Sequence, residues 1–267
     1  MTAIAPTAPA TTAPVRLAPF TEETVFIGRS IRQSLRNVEG LLMAIVLPVM
    51  LMLLFTSVFG GAIDPSGGYV NYVVPGIILL CAGFGAASTA VDVAVDTETG
   101  IIDRFRTMPI RSWAVLTGHV VASLVRNLVA TAVVICVGLL VGFRPSAGPL
   151  EWLAVVGIVA LYILAITYLF AAIGLAASSP AAANGYGFIL LFLPYLSSAF
   201  VPVETMHPWL QWIAQNLPVT PVIDTLRALL LGGEVGSQWL VGIGWILLIL
   251  AVAVTWAAVM FRRKAGR

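Results

Sequence analysis

Six apolar runs, each long enough to cross a lipid bilayer, dominate this chain and leave little else to fold. About 20 apolar residues span the hydrocarbon core, and the runs fall at roughly 41–60, 70–92, 115–142, 152–177, 184–201 and 239–261. Only 10% of the 267 residues are charged and 60% are hydrophobic, where a soluble domain carries roughly 25% charged residues. The expected fold class is all-α, a single polytopic membrane domain over 20–267. Hydrocarbon offers no hydrogen-bond partner, so the backbone must satisfy itself within helices. Pro48, Pro75 and Pro194 interrupt or open three of the runs. Residues 1–19, rich in Ala, Thr and Pro, read as a disordered leader. No apolar core follows Met1, so the leader does not read as a signal peptide.

Charge placement predicts orientation. With the N-terminus inside, the inner segments hold Arg16, Arg29, Arg32, Arg36, Arg104, Arg106, Arg111, Arg262, Arg263, Lys264 and Arg267, and the outer loops hold Arg144 and Arg227. That asymmetry predicts two cytoplasmic termini. Lys264 is the only lysine, and no glycine-rich turn precedes it, so the chain lacks a phosphate-cradling loop. If nucleotide energy drives it, another chain binds the nucleotide. His119 and His207 are far apart with no cysteine near either, which leaves no metal-ligand cluster. Cys81 and Cys136 lie inside apolar runs and are expected as buried thiols.

Two short segments outside the runs carry pattern. Over 21–37, Ile27, Ile31, Leu35 and Val38 form an apolar stripe, and Arg29, Arg32 and Arg36 line another face. Such a helix lies flat in the headgroup region or packs on the bundle. The second segment joins the second and third runs. As a helix over 98–108 it would put Ile101, Ile102, Phe105 and Met108 on one face, with Asp103, Arg104 and Arg106 on the flanks, and Pro109 discourages continuation. An apolar knob with charged rims suits a groove on a partner protein or a bed of headgroups.

Ionisable groups within the runs are few: Asp92, His119 and Arg126. Each is costly in hydrocarbon. An Asp92–Arg126 pair is expected, or hydrogen bonds from Arg126 towards Glu39. Either would lock the second and third helices, and proton coupling is the sharper alternative. Phe188, Phe192, Tyr195 and Phe200 recur along the fifth run, as a core stripe or as the lining of a cargo path. The 202–238 connection, with Trp209, Trp212, Thr220-Pro221 and Gly232-Gly233, reads as two short outer helices that dip into the membrane as a re-entrant hairpin, or pack as an external cap.

The stretch Glu98-Thr-Gly100-Ile-Ile-Asp103-Arg104-Phe-Arg106-Thr-Met-Pro109 resembles the cytoplasmic signature of the type-2 ABC exporter permeases. Leu196-Ser-Ser-Ala-Phe200-Val-Pro202, followed by Asn216-Leu-Pro218-Val-Thr-Pro221, is similar to that family's fifth-span end and external hairpin. Arg126-Asn127-Leu and Gly142-Phe-Arg144-Pro resemble membrane subunits of the daunorubicin-resistance exporter type. The resemblance implies a half-transporter in a prokaryotic plasma membrane. It would pair with a second permease copy or paralogue and with two separate ABC ATP-binding subunits, which carry the ATP and Mg; no cofactor is expected in this chain, and no nucleic acid. The 98–108 segment would be the coupling helix and 21–37 the interfacial helix. A hydrophobic drug or lipid-like cargo is expected to leave the cytoplasm or inner leaflet; the alternative cargo is a lipid-linked polysaccharide or glycolipid. A secondary transporter would need more mid-membrane polar groups or internal repeats, and an intramembrane enzyme a convergent nucleophile and base; the sequence offers neither.

Overall fold

A computed structural model describes residues 38–100 and 113–265, together with Gly28. All regular structure among them is helical. Helix α1 (Val38–Leu54) continues through a π turn (Phe55–Phe59) into a last turn at Gly60–Ile63. Then come α2 (Tyr69–Glu98), α3 (Trp113–Val141), α4 (Pro149–Ala176), α5 (Pro180–Leu190), α6 (Pro208–Asn216), α7 (Val219–Leu231) and α8 (Gln238–Ala265), with short 3-10 turns at Leu193–Leu196 and Val203–Thr205. Five stretches are long and apolar enough to cross a membrane: Ala44–Ile63, Tyr69–Glu98, Leu116–Val141, Pro149–Ala176 and Gln238–Arg262. The end of the bundle where α2 ends and α3 begins is the connector end; the opposite end, bearing 142–148 and Gly232, is the hairpin end.

Helix α2 is the central post. It is the most deeply buried of the five candidate spans, packed by α4, α3, α1 and α5 together. Its core residues Val73, Val74, Ile77, Ile78 and Leu79 are fully buried. Much of α1 and α8 is exposed, with Leu42, Met50, Leu248 and Val252 all more than half open, as apolar surface facing hydrocarbon should be. Cys81 is buried, whereas Cys136 is exposed on α3. The expectation of two buried thiols fails for Cys136, because apolar surroundings in a membrane need not be protein.

Two boundaries differ from the sequence reading. The second run was expected to end at 92, yet α2 continues to Glu98. Asp96 is held by His119, and the Thr97 and Thr99 hydroxyls donate back to the carbonyls of Val93 (2.7 Å) and Val95 (2.8 Å). Gly100 then takes φ +68°, a left-handed conformation that ends the helix. Glu98 therefore closes α2, and Gly100 breaks the helix after it; the expected coupling helix over 98–108 otherwise falls outside the described residues. Residues 101–109 lie outside the described residues, as does 21–37 apart from Gly28.

The run at 184–201 is not one continuous helix either. Ser179 caps α5, its hydroxyl accepting from the Ala182 amide at 3.2 Å, and Pro180 opens the first turn. The helix stops at Leu190, and Pro194 opens a tighter turn at Leu193–Leu196. The segment still runs the length of α2 in antiparallel register. Gly187 packs by Ala87, Leu191 by Gly83 and Ala199 by Gly76, and the Tyr69 hydroxyl donates to the Phe200 carbonyl (2.8 Å).

Candidate functional site

A buried polar seam joins α2 to α3 over the connector half of the bundle. Its residues recur at helical spacing on one face of each helix: Gly85, Ser88, Thr89, Asp92 and Asp96 on α2, and His119, Ser123, Arg126 and Asn127 on α3. His119 Nε2 lies 2.9 Å from Asp96 Oδ2, and both side chains are at most one-tenth exposed. One turn further in along the same face lies Asp92. The Arg126 guanidinium donates through Nη2 to the Gly85 carbonyl (2.9 Å) and to the Ser88 hydroxyl (2.6 Å), with Thr89 Oγ1 at 3.4 Å. Asn127 Nδ2 donates to Ser123 Oγ (3.2 Å), which is 3.3 Å from Thr167 Oγ1 on α4. Gly85 is required here: a Cβ at that position would overlap the Asn127 side chain.

Of the expected intramembrane residues, Asp92 of α2 and Arg126 of α3 both lie on this seam. The hydrogen bonds given for Arg126 run to Gly85, Ser88 and Thr89. Asp96 was missed by the sequence reading, which had ended the second run at 92. The signal was available: Asp96 lies four residues beyond Asp92, one helical turn on along the same face.

A second network closes the hairpin end. Arg227 of α7 donates through Nη1 to Asp224 (2.7 Å), through Nη2 to the Ser198 carbonyl (2.7 Å) and through Nε to the Tyr72 carbonyl (3.3 Å). Its guanidinium carbon sits 3.9 Å over the Tyr72 ring. The Ser198 hydroxyl donates to Asp224 (2.8 Å), and the Tyr72 hydroxyl donates to the Ser198 carbonyl (2.9 Å). Three elements are pinned at one point: α2, the end of the 183–200 segment, and α7. Sequence reading had taken Arg227 only as a loop charge, because its partners apart from Asp224 lie 29 and 155 residues away. In the nearby turn between α1 and α2, the Ser66 hydroxyl and amide both donate to Asp64 and hold its carboxyl below the usual range.

The four aromatics expected along the fifth run do form a strip. Phe188 meets Phe192 edge to face at 5.1 Å, Phe192 reaches Tyr195 at 6.0 Å, and Tyr195 stacks on Phe200 at 5.1 Å. The strip continues onto α1, with Phe55 at 4.3 Å from Phe200 and Phe59 beyond it. Phe188 and Phe192 are more than half exposed, whereas Phe200 is buried. Arg29, Arg32, Arg36 and the coupling residues Ile101, Ile102, Asp103, Arg104, Phe105, Arg106, Met108 and Pro109 lie outside the described residues. Among the described residues no cluster of His, Cys, Asp or Glu could hold a metal ion.

Comparison with known proteins agrees with this architecture. The chain is 31% identical to a daunorubicin resistance ABC transporter permease of Streptomyces coeruleorubidus, over 74% of its own length and 70% of the relative's. It is 26% identical to a probable doxorubicin resistance ABC transporter permease of Mycobacterium tuberculosis, over 83% and 81% of the two chains. A probable multidrug ABC transporter permease of Escherichia coli is 27% identical, over 75% of this chain and 55% of that one. Residues 22–231 match the family model of the ABC-2 type transporter, and with most of its length so matched the chain belongs to that family of membrane permeases.

Proposed function

We propose that this chain is the membrane permease of an ATP-driven exporter that moves a hydrophobic drug or lipid-like cargo, with ATP bound by separate subunits. The observation that carries the reading is the α2–α3 polar seam. It ends at Asp96 and His119, beside the 99–112 connection whose knob around Phe105 would seat in an ATP-binding subunit. Movement of that knob would be felt by α2 and α3 together, because the seam ties them over several turns. An Asp92–Arg126 pair would be part of that tie. The connector end is then cytoplasmic, as the Lys/Arg asymmetry supports. The 184–201 run makes the sixth crossing, supported by its register along α2. Helices α6 and α7 form a re-entrant hairpin, supported by Leu217, Pro218 and Val219 lining a cavity with Leu80 midway along α2. A second copy or a paralogue would complete the path, with the aromatic strip from Phe188 to Phe200 along it.

The test is ATP hydrolysis by the chain reconstituted with an ATP-binding subunit of the same family, across a panel of lipids and apolar antibiotics. Stimulation by some of them is expected in the native complex. Loss of stimulation is expected in Phe105→Glu, together with loss of co-purification. Uphill transport by the purified chain without any ATPase would refute the proposal.

A further inference from the structure

The bundle contains two apolar spaces that share a wall. One is an open groove of about 540 Å³ on the membrane-facing side, at the connector half of α4, α5 and α8, bounded by Ala176, Tyr186 and Trp256. The other is an interior cavity of about 90 Å³ bounded by Tyr162, Leu80 and the Leu217–Val219 tip. Leu169 and Leu190 line both. The spaces lie where α5 stops at Leu190 and the chain passes into the turn at Leu193–Leu196, whose Leu193 and Pro194 line the interior cavity together with Leu191. From Ala176 to Tyr162 the passage follows α4 for 14 residues, about 21 Å at 1.5 Å per residue. One leaflet takes up about half of a ~30 Å hydrocarbon core, about 15 Å, so the passage is long enough to hold a leaflet-length acyl chain.

We infer that this passage is a binding site for one acyl chain of a bilayer phospholipid, entering between α4, α5 and α8 and ending under the tip at Leu217–Val219. What covers the groove in a membrane is hydrocarbon, because Tyr186 and Ile189 on its rim are more than half exposed on the apolar face. Tyr186 and Trp256, which line the groove, are amphipathic residues of the kind that suit a headgroup boundary. Leaving one hydrocarbon phase for another yields no hydrophobic gain. Occupancy therefore comes from dispersion contacts that an empty cavity lacks, and the lipid exchanges with the bulk. The site does not depend on the export reading, as it needs neither ATP nor a partner subunit.

The experiment uses the full chain alone, in nanodiscs containing a phospholipid with a diazirine at the methyl end of one acyl chain. A matched probe carries the diazirine near the carboxyl end. After irradiation, adducts are mapped by peptide mass spectrometry. The methyl-end probe is expected to label Leu80 or the Leu217–Val219 tip, and the carboxyl-end probe Tyr186 or Ile189. Leu169→Trp, which narrows the shared neck, is expected to cut tip labelling at least tenfold and to spare Tyr186. The inference is overturned if the wild-type chain shows no methyl-end adducts at Leu80 or the tip. It is equally overturned if both probes label those positions alike. The probe comparison is made on the unaltered chain, so a variant that fails to fold leaves the test intact.

Discussion

Removing the Arg227 side chain should unpin the hairpin end, and the loss can be worked from the contacts. The pair with Asp224 contributes little, about 0–1 kcal/mol, because the aspartate side chain is more than a third exposed and water screens it. The bond to the Ser198 carbonyl is short at 2.7 Å and charge-assisted, and a hydrogen bond of that kind is worth about 1.5–3 kcal/mol. The contact over Tyr72 adds about 0.5–1 kcal/mol, and the long Nε bond little. Arg227→Ala should therefore cost roughly 3 kcal/mol, shared with packing lost from the stem. Arg227→Lys should recover less than half of it, since an ammonium cannot fork between two carbonyls while lying flat on a ring. The assay is thermal unfolding of the purified chain in nanodiscs, together with amide hydrogen exchange over α7. At roughly 2–4 °C per kcal/mol for a chain of this size, the alanine variant should melt about 6–12 °C lower, with faster exchange concentrated in α7. Equal melting of the lysine variant and wild type would refute the fork-and-ring account. Unchanged exchange in α7 with a lowered midpoint would refute the pinning.

Other substitutions test the seam. Gly85→Ala should cost about 1–3 kcal/mol by overpacking against Asn127, and pairing it with Asn127→Ala should return part of that loss in the same thermal assay; additive losses would count against the close approach. Exchanging the charges at Asp92 and Arg126 should restore part of the transport lost in each single reversal, and no rescue would refute the pairing. Asp96→Asn should weaken ATPase coupling more than Glu98→Gln, because Asp96 is buried against His119 while Glu98 is exposed at the end of α2; equal effects on stimulated hydrolysis would argue that the pair is incidental.

Much of the architecture was legible because hydrocarbon imposes length and composition on whatever crosses it. The runs at 115–142 and 152–177 match α3 and α4 to within three residues at either end. The fifth run was harder, since hydropathy measures where a segment lies and not whether it stays helical. Its break at Leu191–Phe192 comes just before the turn that Pro194 opens, and its far end is held at Ser198 by Tyr72 and Arg227, tertiary contacts that a window of apolar residues does not encode. The seam was half legible. Asp92 and Arg126 stood out as charges in apolar runs, but Asp96 fell past an assumed boundary, and the serines and threonines that bond Arg126 are ordinary in sequence. The Arg227 cluster depended on tertiary contacts alone.

The two polar networks have one element in common. Helix α2 is gripped near its connector end by His119 and Arg126, and near its hairpin end by the Arg227 cluster through Tyr72. From end to end the 30-residue helix is a rod of about 45 Å. A tilt of ~5° about one end would swing the other by about 4 Å over that length, enough to slide an aromatic ring past its neighbour. A rod of that length would act as a lever, turning a small push at the connector end into displacement at the far face.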